Sequence, residues 1–329
     1  LKPSEWTTRT ALWLESVVSS TGLLPEGLLT VVPGRGGAGE AVIDAADLVM
    51  FTGSTATGRA VAARAGAQLK PAILELGGKH PMIVCADAPL ERAAAAAVWG
   101  ALSNNGQVCV GVERVFVEAE VHEAFTALVR ARVAALRVEP GPDAELGRFV
   151  LPTQIDKVQA QLEDARRKGA LVSGGEILDR AGLRMAPAVV LNCSMDMTVM
   201  TEETFGPVIP VMKVSRAEDA VALANAGSEG LAASVWTRDA DRADRLVAAL
   251  EAGMVGINEP GTHYALGSLP FGGVKASGLW RRHGDEGLLA LTQAQSVIEH
   301  EWPADVPDPW WFPRESWVAP LLRRLLGLP

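Results

Sequence analysis

The chain has 329 residues, a length that predicts about two domains rather than a single core. With 48% hydrophobic and 21% charged residues it has the composition of a globular protein, and its net charge of −9 argues against nucleic acid as a partner. Three cysteines without CxxC spacing and five scattered histidines predict a reducing, cytoplasmic setting, with neither a disulfide framework nor a metal site.

The first 76 residues alternate helical and strand-like patterns. Apolar residues at helical spacing predict a helix over 10–20, and short apolar runs predict strands over 28–32, 48–51 and 71–76. Between these runs, a glycine-rich turn at 34–39 and a second turn at 52–54 each open a further helix. Because strand, glycine turn, helix and strand is the rhythm of a doubly wound parallel sheet, we predict an α/β fold with part of a dinucleotide-binding domain over 1–76.

A second α/β pattern runs from residue 77 to residue 267. Its strand-like runs are 82–85, 114–117, 188–191, 208–212 and 232–236. Helical patterns fill most of the intervals, and the last of them ends near Gly253, where a C-cap would lie. This segment is therefore predicted to form a second α/β domain.

Residues 301–329 differ from the rest of the chain in composition. Four of the nine tryptophans lie in the last 28 residues, among prolines, and the basic, apolar segment LLRRLL occupies 321–326. No apolar run is long enough to span a bilayer. Two alternatives stay open for this amphipathic tail: packing on its own protein or a partner subunit, or peripheral contact with a membrane surface.

The stretch NNGQVCV, residues 104–110, places Cys109 between small and amide residues, after a glycine that lets the backbone turn. A nucleophilic thiol needs exposure and local donors, and a tight turn would also aim its own backbone N–H at an oxyanion. The alternative is a buried, inert cysteine, because free cysteines commonly serve as small core residues.

Glu75 lies in the apolar run 71–76, just before Gly77 and Gly78. A carboxylate at this position is costly unless it faces a cavity or a partner. Such a placement would raise its pKa and suit it to work as a general base. The alternative is a charge at the end of a strand that points outward to solvent.

The run TGSTATG, residues 52–58, follows a predicted strand and opens a predicted helix. Backbone N–H groups and the Ser54 hydroxyl at a helix start suit a pyrophosphate, although Ser54 or Thr55 could serve only as an N-cap. At the start of the chain, Lys2 and Glu5 offer a cation and a carboxylate that could hold a ribose or simply face solvent.

Five motifs follow one another along the chain: ELGGK at 75–79, Asn104-x-Gly106-Gln107-x-Cys109, ETFGPV at 203–208, Asn258, and PFGGVKASG at 270–278. In wording, order and spacing they resemble the NAD(P)-dependent aldehyde dehydrogenase superfamily, from residue 2 to about residue 300. The resemblance implies an enzyme with an incomplete Rossmann-type cofactor domain over 1–76 and a catalytic thiol domain over 77–267. It also implies a return segment and oligomerisation strand over 268–300.

The resemblance implies a two-step oxidation of a small-molecule aldehyde to a carboxylic acid. Cys109 matches the family's nucleophile, which forms a thiohemiacetal that becomes a thioester once a hydride has passed to the nicotinamide. Glu75 matches the general base that activates water to release the acid. Because relatives that transfer the acyl group to coenzyme A typically lack this carboxylate, hydrolysis is the expected ending.

The resemblance also implies a nicotinamide cofactor. Lys2 and Glu5 match positions at the adenosine ribose, and a carboxylate there repels a 2′-phosphate, so NAD is favoured and NADP is the alternative. Glu203 matches the carboxylate on the nicotinamide ribose. The matched cofactor positions are Lys2, Ser4, Glu5, Gly34, Thr52, Gly53, Ser54, Leu76, Glu203 and Phe205.

The match begins late in the family's cofactor domain. The family's proline-tryptophan-asparagine motif, whose asparagine completes the oxyanion hole, has no counterpart in this sequence. Losing one such donor typically costs on the order of 10²–10³ in turnover. The sequence therefore predicts a C-terminal fragment of a longer homodimeric or homotetrameric enzyme, with poor activity and folding of its own. The alternative function is a catalytically impaired fragment that only binds a dinucleotide or assembles with partners.

Overall fold

The computed structural model describes residues 1–300, 308, 311–313 and 316–328. The α-helices in these residues are α1 (Thr8–Ser20), α2 (Gly36–Ala45), α3 (Thr55–Ala67), α4 (Leu90–Leu102), α5 (His122–Ala134), α6 (Pro152–Arg167), α7 (Thr198–Thr201), α8 (Ala217–Asn225), α9 (Ala240–Ala249), α10 (Gly284–Leu289) and α11 (Val318–Leu325). The strands are β1 (Val49–Thr52), β2 (Ala72–Glu75), β3 (His80–Val84), β4 (Val112–Glu118), β5 (Leu171–Gly174), β6 (Ile177–Asp179), β7 (Arg184–Met185), β8 (Ala188–Leu191), β9 (Val208–Val214), β10 (Glu229–Gly230), β11 (Ala232–Trp236), β12 (Met254–Ile257), β13 (Val274–Lys275) and β14 (Gly278–Leu279).

A three-stranded sheet is formed by β1, β2 and β14. β1 runs parallel to β2 and places Thr52 opposite Glu75, whereas β14 runs antiparallel to β2 and places Gly278 opposite Glu75. Helix α3 covers this sheet through Val61 and Ala65, which are buried against the strands. β2 is thus the central strand of this sheet, and Glu75, its last residue, is flanked by a strand on each side.

The larger sheet has seven strands in the order β12-β11-β3-β4-β9-β8-β5, and neighbouring strands are parallel except for β5 and β8. Successive side chains of a strand point to opposite faces. Accordingly, Met82 and Val84 belong to the hydrophobic cluster on one face, and Ile83 and Cys85 to the cluster on the other. Helices cover both faces, which confirms the predicted α/β class with parallel strands.

The topology brings distant motifs to one edge of this sheet. Because β3, β4 and β9 are parallel neighbours, their N-terminal ends lie side by side. Gly78 lies just before β3, Cys109 just before β4, and Glu203 a few residues before β9. Glu75 ends β2 and leads directly into the same edge. Three motifs, which lie between residues 75 and 208, therefore converge.

The strand predicted over 28–32 is wrong. This segment forms bends and irregular chain, and apart from a turn bond to Pro25 its hydrogen bonds to other backbone groups within the described residues go to Leu1. The N-terminal group of Leu1 donates to the Thr30 carbonyl at 2.6 Å, and the Leu1 carbonyl accepts from the Val32 N–H at 2.9 Å. Because a ladder needs several successive residues on a neighbouring strand, an apolar run with this one contact forms no strand.

Contacts between residues divide the chain into two units, Leu1–Leu291 and Thr292–Pro329. The predicted boundaries after residues 76 and 267 stay predictions, as does the oligomerisation strand, since residues 295–300 are exposed and irregular within this single chain. Helix α11 covers much of LLRRLL, whereas residues 301–307, 309–310, 314–315 and 329 of the predicted tail lie outside the described residues. No helix in the described ranges is both long and apolar enough to cross a membrane.

Candidate active site

Cys109 lies at the corner of a tight turn that leads into β4. The Gly111 N–H donates to the Val108 carbonyl at 2.9 Å, which closes the turn around the cysteine. Just upstream, Gly106 has a φ of +71°, and a Cβ there would lie 2.1 Å from the carbonyl oxygen of Gly206. The backbone before the thiol therefore requires a glycine, both for its left-handed conformation and for its close approach to the ETFGPV motif.

The side chain of Gln107 ties this turn to a second loop. Its Nε2 donates to the carbonyls of Asn104 and Arg148, both at 3.1 Å. Its Oε1 accepts from the Val150 N–H at 2.9 Å. The glutamine of the Asn-x-Gly-Gln-x-Cys motif thus holds the chain before the thiol in place on both sides.

Glu75 is buried, with 3% of its surface exposed, so the outward-facing alternative is wrong. Neither of its carboxyl oxygens has a hydrogen-bond partner among the described residues. Burial raises the pKa of Glu75 to about 7, although the charges of Arg282 and Arg281 oppose this rise. A carboxyl group that titrates near neutrality and keeps its lone pairs free is able to accept a proton from water.

Gly77 and Gly78 are the point where three motifs meet. A Cβ on Gly77 would lie 2.8 Å from Glu203 Oε1, and the Gly78 N–H donates to the same oxygen at 3.3 Å. A Cβ on Gly78 would lie 2.8 Å from the Cys109 carbonyl oxygen. Because only glycine permits such close approach, the double glycine lets Cys109 and Glu203 pack against the end of the strand that carries Glu75.

The three cysteines differ in exposure and in acidity. Cys109 is partly exposed, whereas Cys85 and Cys193 are buried in the core. Burial raises the pKa of the Cys109 thiol; the Val110 backbone N–H opposes this rise, and the charge of Glu75 adds to it. Burial raises the pKa of both core thiols to about 12. Cys109 is therefore the accessible thiol, and it is coupled electrostatically to Glu75.

Three predicted cofactor residues form the turn between β1 and α3. Ser54 is the N-cap of α3, as one of the alternatives expected. The Gly53 N–H donates to the Glu75 carbonyl at 3.1 Å, and the Thr52 hydroxyl accepts from the guanidinium of Arg282. This turn is therefore joined directly to the strand end that carries the candidate base.

Leu76 and Gly34, two further predicted cofactor residues, pack against the first turns of α3 and α2 respectively. Leu76 is buried beside Glu75, and its Cδ2 would lie 2.4 Å from a Cβ on Gly58, so α3 approaches β2 closely. Gly34 has a φ of +147°, and a Cβ there would lie 2.5 Å from Ala38 Cβ, inside α2. Both residues shape the backbone at the starts of the two helices that cover the smaller sheet.

The predicted residues at the start of the chain lie apart from the thiol. Ser4 and Glu5 are exposed, and Ser4 Oγ accepts from the Trp6 N–H at 3.3 Å. Lys2 is partly buried, with its Cδ 3.9 Å from where a Cβ on Gly39 would lie. Within the described residues, no hydrogen bond or ion pair joins these three to the Cys109 turn. Nor does that part of the chain hold a cluster of three or more His, Cys, Asp or Glu side chains arranged for a metal ion.

Residues 1–297 match the sequence model of the Aldehyde dehydrogenase family. The chain belongs to this family. The resemblance carried by its five motifs is thereby confirmed.

Two curated relatives and one solved structure place this aldehyde dehydrogenase family member more closely. It is 42% identical to 4,4'-diapolycopene aldehyde oxidase from Methylomonas sp over 315 residues, 95% of this chain and 58% of that protein. It is 42% identical to a betaine aldehyde dehydrogenase from Cereibacter sphaeroides over 313 residues, 93% of this chain and 64% of that one. The aldehyde dehydrogenase of Mycobacterium tuberculosis complexed with NAD+ superposes with a TM-score of 0.84 at 36% identity, covering 90% of this chain and 62% of that one. The chain therefore spans 58–64% of the length of these three relatives.

A buried ion pair beneath the double glycine escaped the sequence analysis. Lys79 Nζ donates to Glu113 Oε2 at 2.7 Å and to the Thr204 hydroxyl at 2.9 Å. Glu113 in turn accepts from the N–H groups of Thr204, at 2.7 Å, and Phe205, at 2.8 Å. Burial lowers the pKa of Lys79, and the charge of Glu113 opposes this effect. The network ties the segment after Glu203 to β4. The sequence signal for it was Glu113, a charged residue at the start of the apolar strand β4.

Replacing Glu113 with alanine is expected to lower the free energy of unfolding by about 3–5 kcal/mol, because Lys79 is left as a buried charge without its partner. The double replacement Lys79→Met with Glu113→Leu removes both charges and is expected to recover most of this loss. Chemical denaturation of the variants measures both effects. Glu120→Ala is a matched control, since that carboxylate is exposed and its removal should leave the unfolding midpoint unchanged. Equal midpoints for Glu113→Ala and the control would contradict the expectation.

Proposed function

We propose that this member of the aldehyde dehydrogenase family oxidises an aldehyde to a carboxylic acid, with Cys109 as the nucleophile and Glu75 as the general base. The observation that supports this most is the pairing of a partly exposed thiol with a buried, unpartnered carboxyl group whose charge reaches the sulfur. Covalent oxidation followed by hydrolysis requires a thiol and a base in one site that contains little water.

Each group has one task in this scheme. The Cys109 sulfur, as thiolate, bonds to the carbonyl carbon and gives a thiohemiacetal, and the backbone N–H of Cys109 is a donor for the oxyanion. NAD, when bound, supplies the acceptor for the hydride that this carbon loses. Glu75 then takes a proton from a water whose oxygen attacks the resulting thioester. The carbon–sulfur bond breaks, the acid leaves, the Cys109 thiolate is restored, and Glu75 releases the proton it took to solvent.

The residues around α3 fit a dinucleotide. The N-terminus of this 13-residue helix, capped by Ser54, offers backbone N–H groups suited to a pyrophosphate. Glu203 binds the Gly78 N–H through Oε1, which leaves Oε2 for a ribose hydroxyl. The carboxylate of Glu5 is exposed and repels a 2′-phosphate, so we propose NAD as the cofactor and NADP as the alternative. The relative from Mycobacterium tuberculosis, which is complexed with NAD+, supports this choice.

The surroundings of the thiol favour an apolar aldehyde. Cys109 packs against a cluster that contains Val110, Leu231, Met254 and Phe271. The two curated relatives are named for 4,4'-diapolycopene aldehyde and for betaine aldehyde. A quaternary ammonium is best held by several aromatic faces, whereas this cluster offers one ring among aliphatic side chains. We therefore propose an apolar substrate of the first kind.

Two proposals concern assembly. The exposed apolar side chains of α1, among them Trp13, support a homodimer or homotetramer, which light scattering measures.

Helix α11 carries exposed leucines together with Arg323 and Arg324, and the described residues 316–328 include no acidic side chain. This pattern supports peripheral contact with an anionic membrane surface, and sedimentation with anionic but not neutral vesicles would support it further.

Alkylation is expected to label Cys109 selectively. Treatment with limiting iodoacetamide should modify Cys109 at least about tenfold faster than Cys85 or Cys193, because only the first thiol is accessible. The rate should rise with pH, because burial has raised the pKa of the thiol and the thiolate is the reactive form. Peptide mass spectrometry identifies the labelled site. In parallel, NADH absorbance is followed with apolar and quaternary-ammonium aldehydes.

Three results would overturn parts of the proposal. Equal labelling of all three cysteines would overturn the assignment of Cys109 as the nucleophile. Dinucleotide binding without NADH formation from any aldehyde would favour the impaired fragment that only binds. Faster oxidation of betaine aldehyde than of apolar aldehydes would overturn the proposed substrate class alone.

A further inference from the structure

We propose that His80 is a positioning residue for Cys109: it holds the carbonyl of Val110 and so locks the turn on which the thiol is carried. The proposal deepens the proposed function, since it concerns the same nucleophile. It goes beyond that function in assigning a role to a residue that belongs to none of the catalytic or cofactor positions.

The contacts of His80 define its role. The side chain is buried, with 1% of its surface exposed. Its Nδ1 lies 2.8 Å from the Val110 carbonyl oxygen, and its Nε2 lies 3.1 Å from Ser234 Oγ. The Trp236 Nε1–H donates to the same hydroxyl oxygen at 3.4 Å. The side chains of Trp236, Ser234 and His80 thus form a chain of hydrogen bonds that ends at the Val110 carbonyl, beside Cys109.

The chemistry of these groups fixes the direction of every hydrogen bond. A carbonyl oxygen only accepts, so Nδ1 of His80 must carry the proton. A neutral imidazole then has its acceptor at Nε2, which takes the hydroxyl proton of Ser234, while that oxygen accepts from Trp236. Burial lowers the pKa of His80 to about 4, so the ring is neutral at physiological pH. A single tautomer is therefore held along the whole chain of bonds.

The carbonyl that His80 binds belongs to the peptide unit that closes the cysteine turn. The Val110 carbonyl and the Gly111 N–H form one planar unit, and that N–H donates to the Val108 carbonyl at 2.9 Å. The unit is consequently held at both of its polar ends. Because Cys109 lies inside this closed turn, its backbone cannot rotate away without breaking one of the two bonds, and the direction of its Cα–Cβ bond is fixed with the backbone.

Gly261 packs against the same pair. Its φ is +118°, and a Cβ there would lie 3.1 Å from the Val110 oxygen and 3.2 Å from His80 Cε1. The imidazole is thus buried with the Gly261 backbone packed close to its Cε1 edge and to the carbonyl that it binds. An enclosed, singly oriented donor is what precise placement of a nucleophile requires.

Replacing His80 with leucine removes the donor while keeping an apolar side chain in the cavity. We expect the rate of Cys109 alkylation by iodoacetamide to fall about tenfold, because the loosened turn no longer holds the Val110 N–H where it favours the thiolate. His80→Asn places an amide N–H near the position of Nδ1 and is expected to restore the rate to within about threefold. Aldehyde oxidation should show the same order of variants in kcat, with KM for NAD unchanged.

A matched control separates positioning from packing. His122 is also a buried histidine, with its Nδ1 3.0 Å from a carboxyl oxygen of Glu123 on α5. His122→Leu should leave the alkylation rate of Cys109 unchanged, even if it lowers Tm as much as His80→Leu does. If His80→Leu fails to fold, Ser234→Ala serves instead, since it removes the group that fixes the tautomer and should slow alkylation by about threefold.

The outcomes distinguish this inference from the proposed function. An unchanged alkylation rate in folded His80→Leu, or in Ser234→Ala, overturns the positioning role. Alkylation needs neither cofactor nor turnover, so a wild-type chain that oxidises no aldehyde, yet whose Cys109 slows in His80→Leu, supports the positioning role while the proposed function fails. Failure of His80→Asn to exceed His80→Leu would also overturn the inference, because both side chains fill the cavity and only one donates.

Discussion

Replacing Cys109 with alanine is expected to lower aldehyde oxidation by about 10⁴-fold or more, in line with the loss of a covalent nucleophile in other enzymes. In the proposed mechanism the thiol forms the bond in both covalent intermediates, so its removal should eliminate the pathway rather than slow one step. Steady-state NADH formation measures the rate, and dinucleotide binding measured by fluorescence should be unaffected. Among the described residues no hydrogen bond joins the Cys109 thiol to the α3 turn or to Glu5, so these proposed cofactor positions should keep their contacts.

Cys193→Ala is the matched control for this replacement. That thiol is buried in the core, with its Sγ donating to the Val190 carbonyl at 3.3 Å, and it has no route to substrate. The control is expected to keep kcat within about twofold while losing some stability, because a small cavity forms in the core. Activity in Cys109→Ala within tenfold of the wild type would show that another residue carries the chemistry.

The convergence of the site could be predicted from the sequence because the motifs sit at strand ends. Gly78, Cys109 and Glu203 each come shortly before a buried apolar run, and these runs form parallel strands that are neighbours in the sheet. Parallel strands with helices between them bring their N-terminal ends to a common edge. Family resemblance supplied the roles of these residues, whereas the sheet supplies the physical reason that they meet.

The sequence did not decide whether the Glu75 carboxylate is buried or exposed. An apolar run with Glu75 at its end fits an inward and an outward carboxylate equally well, because only the strands on either side decide its environment. Here β1 and β14 flank β2, and the second of these comes from residues some 200 positions later. The same limit explains the ion pair of Lys79 with Glu113, whose partners are brought together only by the pairing of β3 with β4.

The strand over 28–32 failed for a related reason. Its apolar pattern is typical of a strand, but a strand exists only where a neighbour offers a row of backbone groups. In this chain that row is reduced to Leu1. The pattern of apolar residues shows that a segment suits a strand, but it does not show whether a neighbouring strand is present to pair with it. The strand predicted over 28–32 was wrong for this reason.

Replacing Glu75 with glutamine is expected to slow release of the acid by about 10²–10⁴-fold while leaving formation of the thioester intact. One equivalent of NADH per site should then form rapidly, followed by slow turnover. Intact-mass measurement should find the acyl group on Cys109. A uniform loss of both the burst and the turnover would contradict the role of Glu75 as the base for hydrolysis. Glu202→Gln, a replacement of the exposed neighbour of Glu203, is the matched control and should leave both phases unchanged.

The pH dependence of the wild type should follow the same carboxyl group. Its pKa is raised to about 7 by burial, so the basic form is lost as the pH falls below about 7, and the rate of hydrolysis should fall with it. Arg282 and Arg281 face this group and favour its charged form, whereas the nearby Cys109 thiolate would oppose it. Arg282→Gln should therefore raise the pKa of Glu75 further and move the profile to higher pH.

Stability should change in the opposite direction to activity. Because the pKa of Glu75 is raised on folding from its ordinary 4.5 to about 7, the folded state holds this proton more tightly than the unfolded state does. The wild type is thus expected to lose free energy of unfolding, on the order of 3 kcal/mol, as the pH rises from about 4.5 through 7. Glu75→Gln carries no such proton and should not show the loss, so at pH 8 it should unfold at higher denaturant than the wild type. An inactive variant that is more stable only above neutral pH is what a buried, unpartnered base predicts, and a variant equally or less stable at pH 8 would mean that Glu75 is paired when charged.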